Sequence, residues 1–231
     1  LLQGYLRGAK AAGAALRTRS DIRTITREGS RWRLICADGD ILTDTIVNAA
    51  GGWADEVAGL AGLAPLGIVA HRRTAFTFGL QKDFDTRAWP HVGTVDYDWY
   101  VKPEPGCLMG SLADAVPVVP SDAYPEDIDV AQAIENIERD TRLNIGRPHS
   151  QWAGLRSFPR DRNPVAGMRE GSSGFFWLVG QGGCGILTSP AMGQSIAALV
   201  AGTSLPDAIT RQGVGPADLS PDRESLRAMA A

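Results

Sequence analysis

The stretch "FFWLVGQGGCGILTSPAMGQSIAALVAG", residues 175–202, joins a short apolar run, a glycine cluster and a long apolar segment. This order predicts a buried strand, a loop and a helix. The dense glycines indicate positive φ angles or a ligand held close to the main chain. Such a loop presents N–H groups near the positive end of a helix dipole, at the carboxyl end of a strand, where open α/β sheets bind ligands. Close packing of the strand against the helix explains the same glycines, and both explanations stay open here.

The start of the predicted helix has two possible positions. Ser189 followed by Pro190 is typical of an N-cap and a first helical residue. A start near Ile186 instead leaves Pro190 in the first turn. With either start, the main-chain donors from Gly182 to Ile186 converge near the end of the helix.

The composition is that of an ordinary soluble globular protein, with 231 residues, of which 44% are hydrophobic and 21% charged. A net charge of -3 gives no basic surface for nucleic acid or an anionic membrane. No apolar run approaches the roughly 18 residues that a membrane span needs. The three cysteines are far apart and lack CxxC spacing, which predicts neither a disulfide framework nor a metal site. We therefore expect a cytoplasmic protein that acts on a small molecule without a metal.

The first part of the sequence alternates between helices and strands. Apolar residues at helical spacing predict a first helix over residues 2–9. Alternating apolar residues over 32–36, followed by turn residues, predict a hairpin. Residues 45–50 are almost continuously apolar, as in a strand buried on both faces, and lead through Gly51-Gly52 into a short helix over 54–60.

The middle of the sequence has a different pattern. Residues 67–110 read as several strands, and residues 127–144 read as an amphipathic helix. Strand patterns then return before the glycine stretch. The alternation of strands and helices predicts an α/β fold with a sheet-rich insertion.

Two polar side chains are candidates for ligand binding. Arg156, in "WAGLRSFPRDRNPVAG", follows a strand segment that would hold its base rigidly, and a guanidinium suits bidentate capture of a carboxylate. A structural ion pair with Asp161 or another acid is the plainer explanation of the same arginine. In "DYDWYVKP", strand alternation places Tyr100 on the more polar face, opposite Trp99, where its hydroxyl could reach a ligand. A half-buried core tyrosine is the plainer explanation there.

Four motifs together resemble one family: "IVNAAGGWADEVA", "YVKPEPGCLMGS", "WAGLRSFPRDRNPVAG" and the opening stretch, in this order. They are similar to the later motifs of the FAD-dependent amine and amino-acid oxidoreductases, the superfamily of D-amino-acid oxidase, glycine oxidase and sarcosine oxidase. The resemblance covers about residues 1–205. It implies a partial, Rossmann-like FAD-binding domain over 1–66 and 151–231, and an inserted substrate domain with a mixed or antiparallel sheet and a helix over 67–150.

The resemblance also implies a cofactor and the residues around it. FAD would lie against the glycine loop, whose N–H groups would stabilise negative charge on the reduced ring. A cysteine at the covalent-flavin position of sarcosine oxidase is lacking near 152–158, which implies non-covalent FAD. The substrate would be a small amino acid or an N-methyl amine, with Arg156 binding its carboxylate and Tyr100 assisting. The residues implied to contact FAD are Ala49, Ala50, Gly51 and Gly52 near its nucleotide part, and Gly182, Gly183, Cys184, Gly185 and Ile186 near its ring.

The sequence departs from the family's pattern ahead of these motifs. We read the family's dinucleotide fingerprint, GxGxxG after a first strand with an acidic residue about twenty positions on, as absent from all 231 residues, which indicates the C-terminal portion of a longer protein. FAD binding by these residues alone is then expected to be weak or absent, with an N-terminal segment or a partner subunit completing the site. Two alternatives remain: a hydroxy-acid or glycerol-phosphate dehydrogenase of the same superfamily, and a non-catalytic remnant or subunit that binds a partner.

Overall fold

The structure, a computed structural model, describes residues 1–79 and 85–227, which divide into two units. Unit 1 consists of Leu1–Ile68 and the described residues from Phe158 onward, and unit 2 consists of those within Val69–Ser157. The predicted boundaries after residues 66 and 150 lie earlier, because the strand Ser150–Phe158 pairs with the strand Val69–Gly79. The assignment of one unit to FAD and the other to substrate stays a prediction.

Unit 1 begins with the predicted helix and with a three-stranded antiparallel sheet that contains the predicted hairpin. Trp32, Leu34 and Cys36 are buried, while the residues between them are half-buried or exposed. This alternation turns one face of the sheet toward the core. The elements are α1 (Leu2–Ala11), β1 (Ile22–Glu28), β2 (Arg31–Cys36) and β3 (Ile41–Thr43), in the sheet order β1-β2-β3.

A second sheet of unit 1 consists of β4 (Ile46–Asn48), β11 (Val165–Met168) and β12 (Phe175–Val179), in the order β11-β12-β4. The central strand β12 runs antiparallel to β11 and parallel to β4. Its residues Phe175, Trp177 and Val179 are at most 1% exposed, which accounts for the continuous apolar sequence of the strand.

Helices follow both parallel strands. A 3-10 turn at Gly51–Trp53 leads from β4 into α2 (Ala54–Leu60), and a glycine loop leads from β12 into α4 (Gly185–Val200). The remaining helical segments of unit 1 are α5 (Asp207–Thr210), α6 (Pro216–Leu219) and a 3-10 turn at Glu224–Leu226.

Unit 2 is a sheet with one long helix against it. Its strands are β5 (Val69–Gly79), β6 (Val92–Gly93), β7 (Tyr100–Glu104), β8 (Cys107–Ser111), β9 (Val116–Val118) and β10 (Ser150–Phe158). They are ordered β10-β5-β8-β7-β6, with β9 also pairing with β5. The helix α3 (Asp127–Asp140) packs on β5 and β8, and the core between them includes Phe76, Leu108 and Ile137, each at most 1% exposed.

The long helix ends earlier than the predicted residue 144. Thr141 adopts an extended conformation, with φ −132° and ψ 178°, and its hydroxyl donates to the carbonyl of Ile137 at 2.7 Å. Threonine competes with the helical backbone in this way at helix ends. The predicted α/β class is confirmed, and no helix within residues 1–79 and 85–227 is long and apolar enough to cross a membrane.

Candidate active site

The glycine loop after β12 contains two positions that require glycine for packing. Gly180 and Gly182 have φ angles of +74° and +52°. A Cβ on Gly182 would lie 2.2 Å from Cε1 of Phe158, and one on Gly180 would lie 2.6 Å from Cδ of Pro159. Packing therefore explains these two glycines. Gly183 does not have a positive φ angle, and so backbone strain does not explain it.

The helix that follows begins at Gly185, so the predicted start at Ser189 and Pro190 is wrong. Pro190 lies within the helix, where it has no N–H for the carbonyl of Ile186. The Ser189 hydroxyl donates to that carbonyl instead, at 2.9 Å. Because the Ser189 hydroxyl replaces the missing N–H of Pro190, the helix can begin before the proline, directly after the glycine loop.

The loop offers main-chain donors at the start of α4. The Cys184 N–H donates to the carbonyl of Gln181 at 3.0 Å, so this donor is not available to a ligand, and contact of Cys184 with FAD stays a prediction. The N–H groups of Gly183, Gly185 and Ile186 have no hydrogen-bond partner among the residues that the structure describes. A 16-residue helix places a partial positive charge there.

Apolar side chains accompany these donors. Ile186 and Leu187 are 80% and 82% exposed in the first turn of α4. Free N–H groups beside exposed aliphatic side chains suit a ligand with a planar ring and hydrogen-bond acceptors. A flavin ring has this chemistry, and the loop fits it.

The second predicted cofactor segment lies at the same edge of the sheet. Because β4 and β12 are parallel neighbours, the segment Ala49–Gly52 and the glycine loop both follow carboxyl ends of strands. Asn48, which is 3% exposed, fixes the first segment: its Nδ2 donates to the carbonyl of Ala54 at 2.8 Å, and its Oδ1 accepts from the N–H of Ala50 at 3.2 Å. A cavity of about 360 Å³ opens beside Ala49 and Ala50.

Gly180, Gly182 and Gly185 also have the bare GxGxxG spacing between a strand and a helix. A dinucleotide-binding βαβ unit needs a further parallel strand after that helix. Within the described part of the chain, α4 is followed by short helical segments and by no strand. The spacing therefore does not replace the family's N-terminal fingerprint.

In unit 2, the strand alternation predicted around Tyr100 is wrong. The strand β7 begins only at Tyr100, because Tyr97 before it has a φ of +62° and belongs to a turn. Trp99, Tyr100 and Val101 are all buried, at 4%, 5% and 4% exposure. Tyr100 is thus a buried residue, and its importance depends on what its side chain contacts.

Tyr100 lies beside an arginine that sequence reasoning missed. The Arg73 side chain on β5 is 12% exposed, its Nε donates to the Asp114 carbonyl, and its Nη1 is buried without a partner among the described residues. Burial, followed by the positive charge of Arg156, lowers the pKa of Arg73, while Tyr100 and Asp114 oppose this shift. The charge of Arg73 therefore interacts with both Tyr100 and Arg156, and we call these three residues the arginine cluster. The available signal was a pair of adjacent arginines in the strand-like segment "HRRTAFTF".

The arginine cluster has less negative charge than positive. The Asp114 carboxylate is 3.9 Å from Nε of Arg73 and accepts the N–H of Thr74 at 2.8 Å. Burial raises the pKa of Asp114, which is 3% exposed. Asp114 thus pairs with Arg73 alone among the two arginines of the cluster, and an anionic ligand would offset the remaining positive charge.

Arg156 has no acidic partner within 4 Å in the described residues. Asp161 is the acid that was expected to pair with Arg156. It pairs with Arg223 instead, and its Oδ2 lies 2.6 Å from Nε of that arginine. The ion-pair explanation of Arg156 is therefore wrong. The roles of Tyr100 and Arg156 as substrate ligands stay predictions.

Known proteins are similar to this chain in sequence and in fold. A sequence model of the family described as "FAD dependent oxidoreductase" matches residues 1–199. The hydrogen cyanide synthase subunit HcnC of Pseudomonas protegens is 27% identical over 214 residues, which cover 91% of this chain and 50% of that protein. The crystal structure of glycine oxidase from Geobacillus kaustophilus has a TM-score of 0.70 and 21% identity, over 84% of this chain and 51% of the other. For L-proline dehydrogenase from P. horikoshii these values are 0.74, 23%, 88% and 56%. The chain spans about half the length of the curated relatives it matches.

Proposed function

Because this chain belongs to the FAD dependent oxidoreductase family, as its motifs predict, we propose that it serves an enzyme that oxidises the carbon–nitrogen bond of a small amino acid or an N-methyl amine. FAD, when bound, supplies the acceptor for a hydride from the carbon next to the amine. The residues of this chain hold the ring and orient the substrate. The arginine cluster of unit 2 is the observation that carries the proposal.

The edge of the sheet after β4 and β12 holds the cofactor without a covalent bond. The free N–H groups of Gly183, Gly185 and Ile186 stabilise negative charge on the ring, and the positive end of α4 adds to this effect. The segment Ala49–Gly52, fixed by Asn48, lies near the nucleotide part. Cys184, whose N–H is already bonded, contacts the ring only through its other atoms.

The arginine cluster binds the substrate carboxylate. Arg156 provides a planar pair of N–H donors. The unpartnered Nη1 of Arg73 provides a further donor. Tyr100, which influences the pKa of Arg73, assists in orienting the carboxylate. Fixing the carboxylate fixes the neighbouring carbon, which is what a hydride transfer requires of its donor.

The names of the similar proteins favour amino acids among the possible substrates. Glycine oxidase and L-proline dehydrogenase are both named for small amino acids. A 2-hydroxy acid would bind the same arginine cluster through its carboxylate, and so the test must separate amines from alcohols.

The test uses the full-length protein loaded with FAD, under anaerobic conditions. We expect glycine, sarcosine or another small amino acid to bleach the flavin absorbance, whereas the matching 2-hydroxy acids, glycerol phosphate and amino-acid methyl esters leave it unchanged. The esters keep the amine but lose the carboxylate, and they therefore test the arginine cluster itself. Bleaching by hydroxy acids or glycerol phosphate alone would assign the other substrate class, and bleaching by the esters would remove the cluster from substrate binding.

A further inference from the structure

The sheet of unit 2 has an irregular region beside Arg73. Between the last residue of β8 that pairs with β5 and the first residue of β9 that does so, five residues, 111–115, lie beside only three residues of β5, 73–75. We call residues 111–115 the bulge. Ala113 within it has a φ of +58°, which is uncommon for a residue with a side chain. Bulges redirect side chains and are frequent next to active sites.

Two buried side chains of the bulge fix it to β5. The Ser111 hydroxyl donates to the carbonyl of Thr74 at 2.5 Å and accepts the N–H of Ala113 at 3.1 Å. The Asp114 carboxylate accepts the N–H of Thr74 at 2.8 Å through Oδ1 and the Thr74 hydroxyl at 3.4 Å through Oδ2. Asp114 thus gives the Thr74 N–H the acceptor that a carbonyl of a neighbouring strand would otherwise provide.

Asp114 also holds the side chain of Arg73. Nε of Arg73 donates to the main-chain carbonyl of Asp114, while Oδ1 of Asp114 stays 3.9 Å from that nitrogen. Because both carboxylate oxygens accept from Thr74, Asp114 forms no close ion pair with the guanidinium. Nη1 of Arg73 is therefore left buried and without a partner among the described residues, where a ligand can accept from it.

The neighbouring arginine on β5 is bound differently. Arg72 donates from Nη1 to Glu126 at 2.7 Å and from Nη2 to Asp129 at 2.9 Å. These bonds join β5 to the start of α3. Of two adjacent arginines, Arg72 thus forms structural ion pairs with both ends of its guanidinium, whereas Arg73 keeps a donor free.

We propose that Asp114 is a positioning residue, which holds the Arg73 guanidinium so that Nη1 donates to the substrate carboxylate. The proposal rests on the proposed function, because that carboxylate is the one assigned to the arginine cluster. Asp114 acts only through Arg73. A guanidinium that is already fixed loses less conformational entropy when a ligand binds, and so removing the Asp114 side chain weakens carboxylate binding.

Propanoate tests the proposal with the FAD-loaded, full-length protein, because it has a carboxylate but no amine to oxidise. Asp114→Ala leaves the Thr74 N–H without its acceptor, and we expect the Kd from calorimetry to rise about tenfold. Asp114→Asn keeps an acceptor for that N–H, and its Kd should rise by no more than about threefold. Asp129→Ala removes an acid bound to Arg72, is the matched control, and should change the Kd by less than about twofold.

The decisive measurement repeats Asp114→Ala in an Arg73→Met background. We expect Arg73→Met alone to raise the Kd about tenfold, and the added Asp114→Ala to change it by less than about twofold. The melting temperature should fall with Asp114→Ala in both backgrounds, because both lose the bond to Thr74. A purely structural role predicts equal losses of affinity in both. Ser111→Ala, which removes the other connection between the bulge and β5, replaces Asp114→Ala if that variant does not fold.

The outcomes separate this proposal from the one on which it rests. The role of Asp114 is overturned, and the carboxylate site stays, if Arg73→Met raises the Kd and Asp114→Ala does not. Equal losses in both backgrounds, or an Asp114→Asn variant as weak as Asp114→Ala, lead to the same conclusion. If Arg73→Met leaves the Kd unchanged, or the wild-type protein does not bind propanoate, the arginine cluster and the role of Asp114 both fail.

Discussion

The charge of Arg156 acts on Arg73, and Arg156 has no acidic partner within 4 Å in the described part of the chain. Its proposed role depends on the shape of its side chain. Arg156→Lys keeps the charge but loses the planar fork that holds a carboxylate through two hydrogen bonds. We expect KM to rise about tenfold or more, which corresponds to ~1.4 kcal/mol, while the flavin content stays unchanged. Steady-state kinetics and the flavin-to-protein absorbance ratio measure the two effects. Arg142→Lys, at an exposed arginine of the same unit, is the control. A KM that does not change for any carboxylate substrate would contradict the role of Arg156.

Two neighbouring glycines give different predictions. A Cβ on Gly182 would collide with Phe158, and its φ is positive, so Gly182→Ala should destabilise the protein by about 1–3 kcal/mol. Gly183 is exposed and has no positive φ angle, so a side chain there should meet the flavin and little of the protein. We expect Gly183→Val to weaken FAD binding about tenfold, or ~1.4 kcal/mol, with the melting temperature of the apoprotein nearly unchanged.

Measuring FAD dissociation and apoprotein melting on both glycine variants separates the explanations of the glycine cluster. If Gly183→Val lowers the melting temperature and leaves FAD affinity intact, Gly183 is a packing residue like Gly182, and the loop does not bind the ring through this position.

Single residues also show the limit of inference from sequence. Arg156 and Tyr100 were found because they stand in motifs of the family. Arg73 was missed because its significance comes from a partner 83 positions away in the sequence, Arg156, and from burial beside Asp114. Whether two strands far apart in the sequence lie side by side depends on the order of strands in the sheet. Local sequence patterns do not determine that order.

At the scale of elements, an ion pair joins the segment between β10 and β11 to the C-terminal segment. Asp161 and Arg223 have side chains that are 10% and 9% exposed and bond at 2.6 and 2.8 Å. The Arg223 guanidinium holds the pKa of Asp161 well below its usual range. Because the folded pKa is lowered, the stabilisation is present above the unfolded pKa of about 3.9 and is lost as the pH falls below it.

The prediction is that Asp161→Asn destabilises the protein by about 3 kcal/mol at pH 7. The difference from wild type should shrink steadily between about pH 4 and pH 2, because the Asp161 carboxylate takes up a proton in the unfolded wild-type chain before it does so in the folded one. Thermal melting of both proteins across this range measures it. Asp207→Asn is the control, because the pair of Asp207 with Arg211 spans 3.8 Å and both side chains are more than three-quarters exposed. A difference between Asp161→Asn and wild type that is the same at pH 7 and pH 3 would contradict the assignment.

Periodicity predicted most elements, and its failures have identifiable causes. Regular apolar patterns predicted the first helix, the hairpin β2–β3 and α3, and the structure contains all three. The pattern failed before β7, where the strained turn at Tyr97 interrupts the alternation. The sequence pattern also left the start of α4 undecided. A proline is typical of the first residue of a helix, and the sequence does not show that the Ser189 hydroxyl replaces the N–H that Pro190 lacks.

At the scale of the whole molecule, motif order carried more information than composition. A net charge of -3 and scattered cysteines only excluded classes of partner. The order of four motifs predicted the family that the match over residues 1–199 confirms. Substrate and cellular location stay predictions, because both depend on details that the family shares among different enzymes.

The last prediction concerns the 231 residues as a cofactor-binding unit. The pyrophosphate of a dinucleotide normally sits on the turn of a βαβ unit whose strand and helix carry GxGxxG. The described residues contain that spacing only at the glycine loop, where no strand follows α4 to complete such a unit. The remaining contacts, a few N–H groups and the segment Ala49–Gly52, are too few to retain a ligand as large as FAD during dilution. We therefore expect the 231 residues, purified alone, to be colourless or to lose FAD on gel filtration, whereas the full-length protein stays yellow. Absorbance at the flavin maximum, relative to protein, measures this in both. A stoichiometric flavin that stays with the 231 residues would show that the two segments beside β4 and β12 suffice to bind FAD, and the fingerprint would not be needed for affinity.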